Sequence, residues 1–179
     1  MKIPFRTRIL LRWIKRRRGF HNKKPPALAF RRNGKGLSRI LIIFPENENA
    51  GRTANYFLKT LFNNKTVDIV VLGKEPFLQA DKMKDKVIVK RYSEQDFNWF
   101  GGLRKAAQER LFDQQFDAIL DLNPQFNLQS ALLTVYSQIA LRVSFKSEHS
   151  YSFYNIEIDH KPEGFLELGY NYFQKLLGL

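Results

Sequence analysis

The chain has 179 residues, 44% of them hydrophobic, a formal charge of +13 and no Cys. That length admits one domain with a sizeable core and little beside it, and the missing Cys excludes a disulfide framework, a thiolate metal site and a thiol nucleophile. The charge is confined to one end: residues 1–39 hold 14 of the 30 Lys and Arg and none of the 17 Asp and Glu, so the remainder sets 16 basic against 17 acidic side chains. A basic nucleic-acid-binding body is thereby excluded, because only the N-terminal arm is cationic.

The arm, residues 1–38, divides in two. Between Phe5 and Arg17 there is neither Pro nor Gly, and at helical spacing Ile9, Leu10, Leu11, Trp13 and Ile14 fall on one arc while Arg8, Arg12, Lys15 and Arg16 gather opposite. This predicts a basic amphipathic helix of the kind that lies in the headgroup plane of anionic membranes, with Trp at the interface. Its apolar stretch is far short of the about 20 residues a spanning helix needs, and no small-residue cleavage site follows it. Gly19 to Gly36, rich in Lys, Arg, Pro and Gly, reads as a tether stiffened at Pro25-Pro26. The arm is therefore expected to hold the protein on an anionic membrane surface through residues 1–24. Packing on the domain and binding of RNA or another polyanion are the alternatives, and the apolar arc argues against a purely electrostatic RNA arm.

Beyond the arm, strands are expected near 39–44, 67–72, 86–91, 117–122, 141–145 and 153–158, and helices at 53–63, 99–114, 127–139 and 163–177. Residues 73–85 read as irregular. The third strand alternates like a half-exposed edge. The alternation of strands and helices predicts a three-layer α/β domain over residues 39–179 with a mainly parallel sheet. Its core should include Leu41, Ile43, Ile69, Val71, Ile119, Leu120, Leu132 and Val143. The most complete unit is Phe116 to Phe145: an apolar strand stopped by Asn123-Pro124, a helix with Leu128, Ala131, Leu132, Val135 and Ile139 on one face, and a strand resuming at Arg142.

At these residues the chain resembles a known family. The string FDAILDLN, a helix containing SALL and then LRVSF are similar to the N-terminal domain of the family 9 glycosyltransferases, the heptosyltransferases of lipopolysaccharide assembly. Arg39 to Ile43 with the helix from Thr53 resembles the family's opening strand and helix, and the terminal Leu-Gly-Leu resembles its hand-over to a second domain. The resemblance implies a Rossmann-like domain, one half of a GT-B architecture, whose other half holds the nucleotide sugar. The chain departs from the pattern in two ways. It stops where the first domain would end, and where the family places a general-base Asp after the first-loop glycine this sequence offers Arg52, Ala50 or Gly51. Glu48 is the candidate that could reach the same space.

Ligands in such sheets sit beyond the carboxyl ends of the strands, at the switch in strand order. Glu46, Asn47, Asn49 and Arg52 after the first strand, with Asp121 and Asn123 after the fourth, are therefore the acceptor-binding candidates; helix caps and turns are the ordinary use of such residues. No glycine spacing matches a phosphate loop. His21, His149 and His160 are isolated, so no metal site and no cofactor is expected.

The terminal aromatic cluster Tyr151, Phe153, Tyr154, Tyr170, Tyr172 and Phe173 is expected to be partly exposed and to meet a partner chain or a second copy. The reading favoured is a heptosyltransferase-like single domain, cytoplasmic and peripheral on the inner membrane. It would act as an interaction or acceptor-binding module in cell-envelope saccharide metabolism and would not catalyse alone. Whether any enzymatic activity remains is open at this point. A subunit of a split glycosyltransferase is the alternative, polyanion (RNA) binding through the arm the second alternative, and nucleic acid is not the expected partner.

Overall fold

A computed structural model describes residues 37–61, 67–74, 87–99, 101–139, 141–147, 149–159 and 165–177, together with Ile9 and Arg12. Those two arm residues are helical and exposed. The other expected membrane contacts, Arg8, Leu10, Leu11, Trp13, Ile14, Lys15 and Arg16, and the tether lie outside the described residues.

The described elements are β1 (Arg39–Ile43), α1 (Glu48–Leu61), β2 (Asp68–Lys74), β3 (Ile88–Tyr92), α2 (Lys105–Leu111), β4 (Ala118–Asp121), α3 (Leu128–Ser137), β5 (Leu141–Phe145), β6 (Ile156–Ile158) and α4 (Leu166–Leu177). The strands form one sheet in the order β3-β2-β1-β4-β5-β6, every neighbouring pair parallel. Parallel strands need crossovers, and the crossovers lay helices on both faces, so the central strands are apolar on both sides. Along β1, Ile40 and Ile42 pack with α1 and α4 while Leu41 and Ile43 face the α2 side. All eight expected core residues are buried.

The boundaries differ from the sequence reading where polar side chains close local bonds. The first helix starts at Glu48, five residues early, because the Asn47 side chain accepts from the N–H groups of Asn49 (3.0 Å) and Ala50 (3.2 Å) and so caps it. The expected helix 99–114 contracts to α2. In front of it Phe97 and Leu103 bridge antiparallel around Gly101, whose φ of 85° is a left-handed conformation that glycine adopts without strain. The second and third strands run on to Lys74 and Tyr92, past their expected ends. Of the terminal aromatic cluster, Phe153, Tyr154, Tyr170 and Phe173 are core residues, and Tyr151 and Tyr172 are exposed. The expected partial exposure thus falls on Tyr151 and Tyr172, while the Phe145, Tyr170 and Phe173 rings pack against one another between α4 and the sheet, Phe145 and Phe173 edge to face.

Candidate functional site

The chain runs from β1 through α1 to β2 on one side and returns past β1 to β4 on the other. The order therefore switches between β1 and β4, and the crevice that such sheets use for ligands lies beyond the carboxyl ends of those strands. Parallel pairing holds Ile43 opposite Asp121 there, and the ladder continues with Leu122 N–H donating to the Ile43 carbonyl (3.1 Å). The Glu46 N–H donates to Asn123 Oδ1 at 3.1 Å, which joins the two loops. Gly51 lets the first turn of α1 lie against the ring of Phe44, since an added Cβ would stand 3.3 Å from its edge.

Beneath the crevice is a closed polar layer. Asp121 Oδ1 accepts from the Asn123 N–H (3.0 Å) and Nδ2 (2.7 Å), and Oδ2 accepts from the Tyr154 hydroxyl. Asn123 Nδ2 also donates to Ser130 Oγ (3.0 Å). Burial pushes the Asp121 carboxyl up to about 6 against the opposing pull of these donors. Burial together with the Asp121 charge raises the Tyr154 hydroxyl well above its usual range. The Tyr170 hydroxyl reaches the Leu122 carbonyl from below at 2.9 Å.

Above it lies a layer centred on Lys74, half-buried at the end of β2. Its ammonium donates to Glu94 Oε1 (2.5 Å) and Gln129 Oε1 (3.0 Å) and stands 3.5 Å from Glu46 Oε2. Gln129 Nε2 closes the ring on Glu94 Oε2 at 2.9 Å, and the Tyr92 hydroxyl donates to Glu46 Oε1 at 2.8 Å. Burial works against the Lys74 charge, but Glu94 and Glu46 outweigh it and hold the ammonium above its usual range. The bond from Lys74 correspondingly lowers Glu94.

The structure thus brings Glu46, Asp121 and Asn123 together and leaves the other sequence candidates outside. Asn47 is spent on the helix cap and Asn49 is exposed. Glu48 pairs with Arg52 at 2.6 Å, both side chains more than 70% exposed. Lys74, Tyr92, Glu94, Gln129 and Ser130 were not singled out from the sequence, and Tyr154 was named only as part of the terminal aromatic cluster. The first two fell past the expected strand ends, and Tyr154 approaches Asp121 from a separation of 33 residues. Chemically, Glu46, Glu48, Glu94 and Asp121 each accept at least one hydrogen bond from a neighbour, and each keeps further lone pairs that could accept from a hydroxyl. Among the described residues no group of three or more His, Cys, Asp or Glu is placed to hold a metal.

An all-parallel sheet in this order, with helices on both faces and polar side chains gathered at the switch point, defines a Rossmann-like α/β domain. Residues 12–176 match the family described as "Family of unknown function (DUF6913)", and the chain belongs to that family. No curated protein sequence matches it. Among solved structures it is similar to the E. coli heptosyltransferase WaaC with ADP, at a TM-score of 0.61 and 19% identity, covering 78% of this chain and 47% of that one. The same enzyme with ADP-2-deoxy-2-fluoro heptose gives 0.60 and 18%, covering 78% and 48%. A family 9 glycosyl transferase from Veillonella parvula DSM 2008 gives 0.56 and 15%, covering 78% and 41%. The fold is that of a partial family 9 glycosyltransferase domain, and the chain spans less than half the length of these relatives.

Proposed function

We propose that this protein is a heptosyltransferase-like domain that holds a saccharide acceptor or a partner at a membrane surface and transfers no sugar by itself. The observation that carries the reading is the engagement of the crevice carboxylates. Glu46 is tied to Tyr92 and Lys74, Asp121 to Tyr154 and Asn123, and Glu48 is turned to solvent with Arg52. A general base must accept a proton from the attacking hydroxyl, and a misplacement of about 1 Å costs about 100-fold in rate. The test is incubation of the purified chain with labelled nucleotide sugars and lipopolysaccharide-type acceptors. No transfer is expected, and robust turnover overturns the proposal.

The membrane half of the reading rests on the arm, as no helix among the described residues is long and apolar enough to cross a bilayer. The full chain should sediment with vesicles containing anionic lipid and a chain starting at Leu37 should not. Replacing Leu10, Trp13 and Ile14 with polar residues should weaken binding even at low salt, since apolar burial and charge attraction contribute separately. Binding that falls steeply with salt on RNA instead, and is indifferent to those substitutions, would move the arm to the polyanion reading. A second reading, a subunit completed by another chain, is favoured by the exposed apolar side chains Leu168 and Tyr172 on α4 and Phe165 just before it.

A further inference from the structure

At the amino end of the sheet, away from the crevice, the last turns of α2 and α3 border a groove of about 630 Å³. Phe116 and Ile139, which lead into β4 and β5, mark that end. The rings of Phe112, Phe116 and Tyr136 form its apolar side; they pack against the core beneath α2 and keep part of their surface open. Gln108, Gln114, Gln115 and Gln138 give its polar side a set of side-chain amides. We infer that this groove is a binding site for a neutral sugar ring.

The lining selects that ligand class by elimination. Its volume is that of a small-molecule site. The charged members, Lys105 and Glu109, pair with each other at 3.6 Å and stand mostly in water, so a phosphate or carboxylate finds no unpaired cation among the described lining residues. Both helices end here, and the negative pole of a helix lies at its carboxyl end, which disfavours an anion further. An extended peptide finds no ladder to join, because the walls are helix ends and not a strand edge. A wholly apolar ligand would strip water from the amides without replacing their hydrogen bonds. A sugar ring satisfies both sides. Its C–H face lies on aromatic rings, and its hydroxyls donate and accept, as a glutamine amide does.

The groove also stands preformed. Gln108 Nε2 donates to the Tyr136 carbonyl at 3.2 Å and pins α2 to the end of α3. Ser137 Oγ donates to the Thr134 carbonyl (2.7 Å) and accepts from the Ile139 N–H (3.3 Å), which fixes the turn after α3. That turn holds Gln138 at φ 58°, and among the described residues no other non-glycine residue has a positive φ. Glycine would take this helix cap without strain. A strained glutamine kept there, exposed and lining the groove, points to a use for its side chain. None of the crevice residues takes part, so the site stands whether or not the crevice holds an acceptor.

Full-length, isotope-labelled protein is titrated with cellobiose and with diacetylchitobiose, both neutral disaccharides, while NMR follows the backbone amides. Adenosine and glucose phosphate are the comparison ligands. Saturable shifts clustered at 108–116 and 136–139 are expected for at least one disaccharide, with a dissociation constant of about 1 mM or tighter. Glucose phosphate and adenosine should bind there at least about tenfold more weakly. Gln138→Gly relieves the backbone and removes only the side chain, so it should keep the unfolding midpoint while weakening disaccharide binding at least about tenfold.

Absence of shifts at 108–116 and 136–139 overturns the inference, whatever happens at the crevice amides 46–49 and 121–123. Shifts in the groove with none at the crevice support the groove and count against the crevice as a saccharide site. Tighter binding of adenosine or glucose phosphate in the groove overturns the assignment to a neutral sugar. An affinity unchanged in Gln138→Gly overturns it as well, since the strained turn would then serve the fold alone.

Discussion

Both ends of β4 carry an aspartate that fastens it to a neighbouring segment, and the two behave oppositely. Asp117, at the amino end, is half-buried. Its Oδ2 accepts from the N–H groups of Ser38 (2.6 Å) and Arg39 (2.9 Å) and from the Ser38 hydroxyl (2.8 Å), fixing the entry of β1. Burial pushes its carboxyl up, but those three donors outweigh burial and hold it below the usual range. Asp121, at the carboxyl end, also accepts three donors, yet its deeper burial wins and raises it. Equal numbers of hydrogen bonds therefore accompany opposite protonation behaviour: Asp121 is more deeply buried and has the Glu46 charge nearby, whereas Asp117 has the Arg39 charge beside it. Asp117 is held in its charged form and Asp121 is pushed toward its neutral one, while Lys74 and Glu94 near the same end as Asp121 keep their charges.

The largest expected effect comes from breaking the crevice end. Asp121→Ala removes the acceptor for the Tyr154 hydroxyl and for the Asn123 amide inside the core, and each orphaned buried donor costs about 1–3 kcal/mol. A loss of about 3 kcal/mol in urea unfolding is expected, large against the roughly 5–15 kcal/mol of a whole domain. Tyr154→Phe leaves the carboxylate one donor short and should move its titration upward, which a pH series of unfolding midpoints reads directly.

The pH dependence separates the two aspartates by sign. An unfolded aspartate titrates near pH 3.9, so native Asp121, at about 6, keeps its proton across the window from about 4 to 6 while the unfolded chain has lost it. Its contribution is complete below that window and is lost as pH rises through about 6. Asp117 works the other way: its contribution is present above the unfolded value and disappears as pH falls through the depressed native one. Asp121→Asn should flatten the stability profile between about 4 and 6, and Asp117→Asn should flatten it only below about 4. Profiles unchanged in those windows would mean that burial is not what sets the two charges apart.

Asp117→Ala should cost less than Asp121→Ala, about 1–2 kcal/mol, because the Ser38 and Arg39 donors can turn to water once released.

How much of this could be read from the sequence follows from the range over which each signal acts. The unit from Phe116 to Phe145 was legible because strand, stop, helix and strand each carry their own local period. The meeting of Glu46 with Asn123 was legible from topology alone, since an open parallel sheet must bring those loops together at its switch point. The depth of Asp121 was not: its state depends on Tyr154, which follows β5, and no local pattern couples a tyrosine to an aspartate 33 positions earlier. Lys74 and Tyr92 were missed for a different reason. Each ends a strand that the apolar run predicts to stop one or two residues sooner, so side chains that build the polar layer are among those the hydrophobic pattern discards. Glu94 and Gln129 enter only as partners of Lys74.

The smallest expected effect belongs to a third carboxylate, Glu48 in its ion pair with Arg52, and its smallness makes it useful. Glu48 and Arg52 stand one turn apart at the start of α1 with both side chains largely in water, and such pairs contribute about 0.3–0.5 kcal/mol. Neither side chain supports the Asp121 layer or the Lys74 layer. Glu48→Ala should therefore shift the urea midpoint by an amount corresponding to no more than about 0.5 kcal/mol, at any pH between 4 and 8, in contrast to Asp121→Ala. Because the fold is unmoved, the same variant isolates function. If Glu48 served a hydroxyl-bearing ligand at the crevice mouth, saccharide binding followed by NMR titration of the backbone amides would weaken in the variant while stability stayed constant. An unchanged titration would restrict the ligand-facing chemistry to the Lys74 layer. A large loss of stability would instead break the comparison itself, since it would show that an open carboxylate at this end of the sheet matters to the fold as much as the buried one.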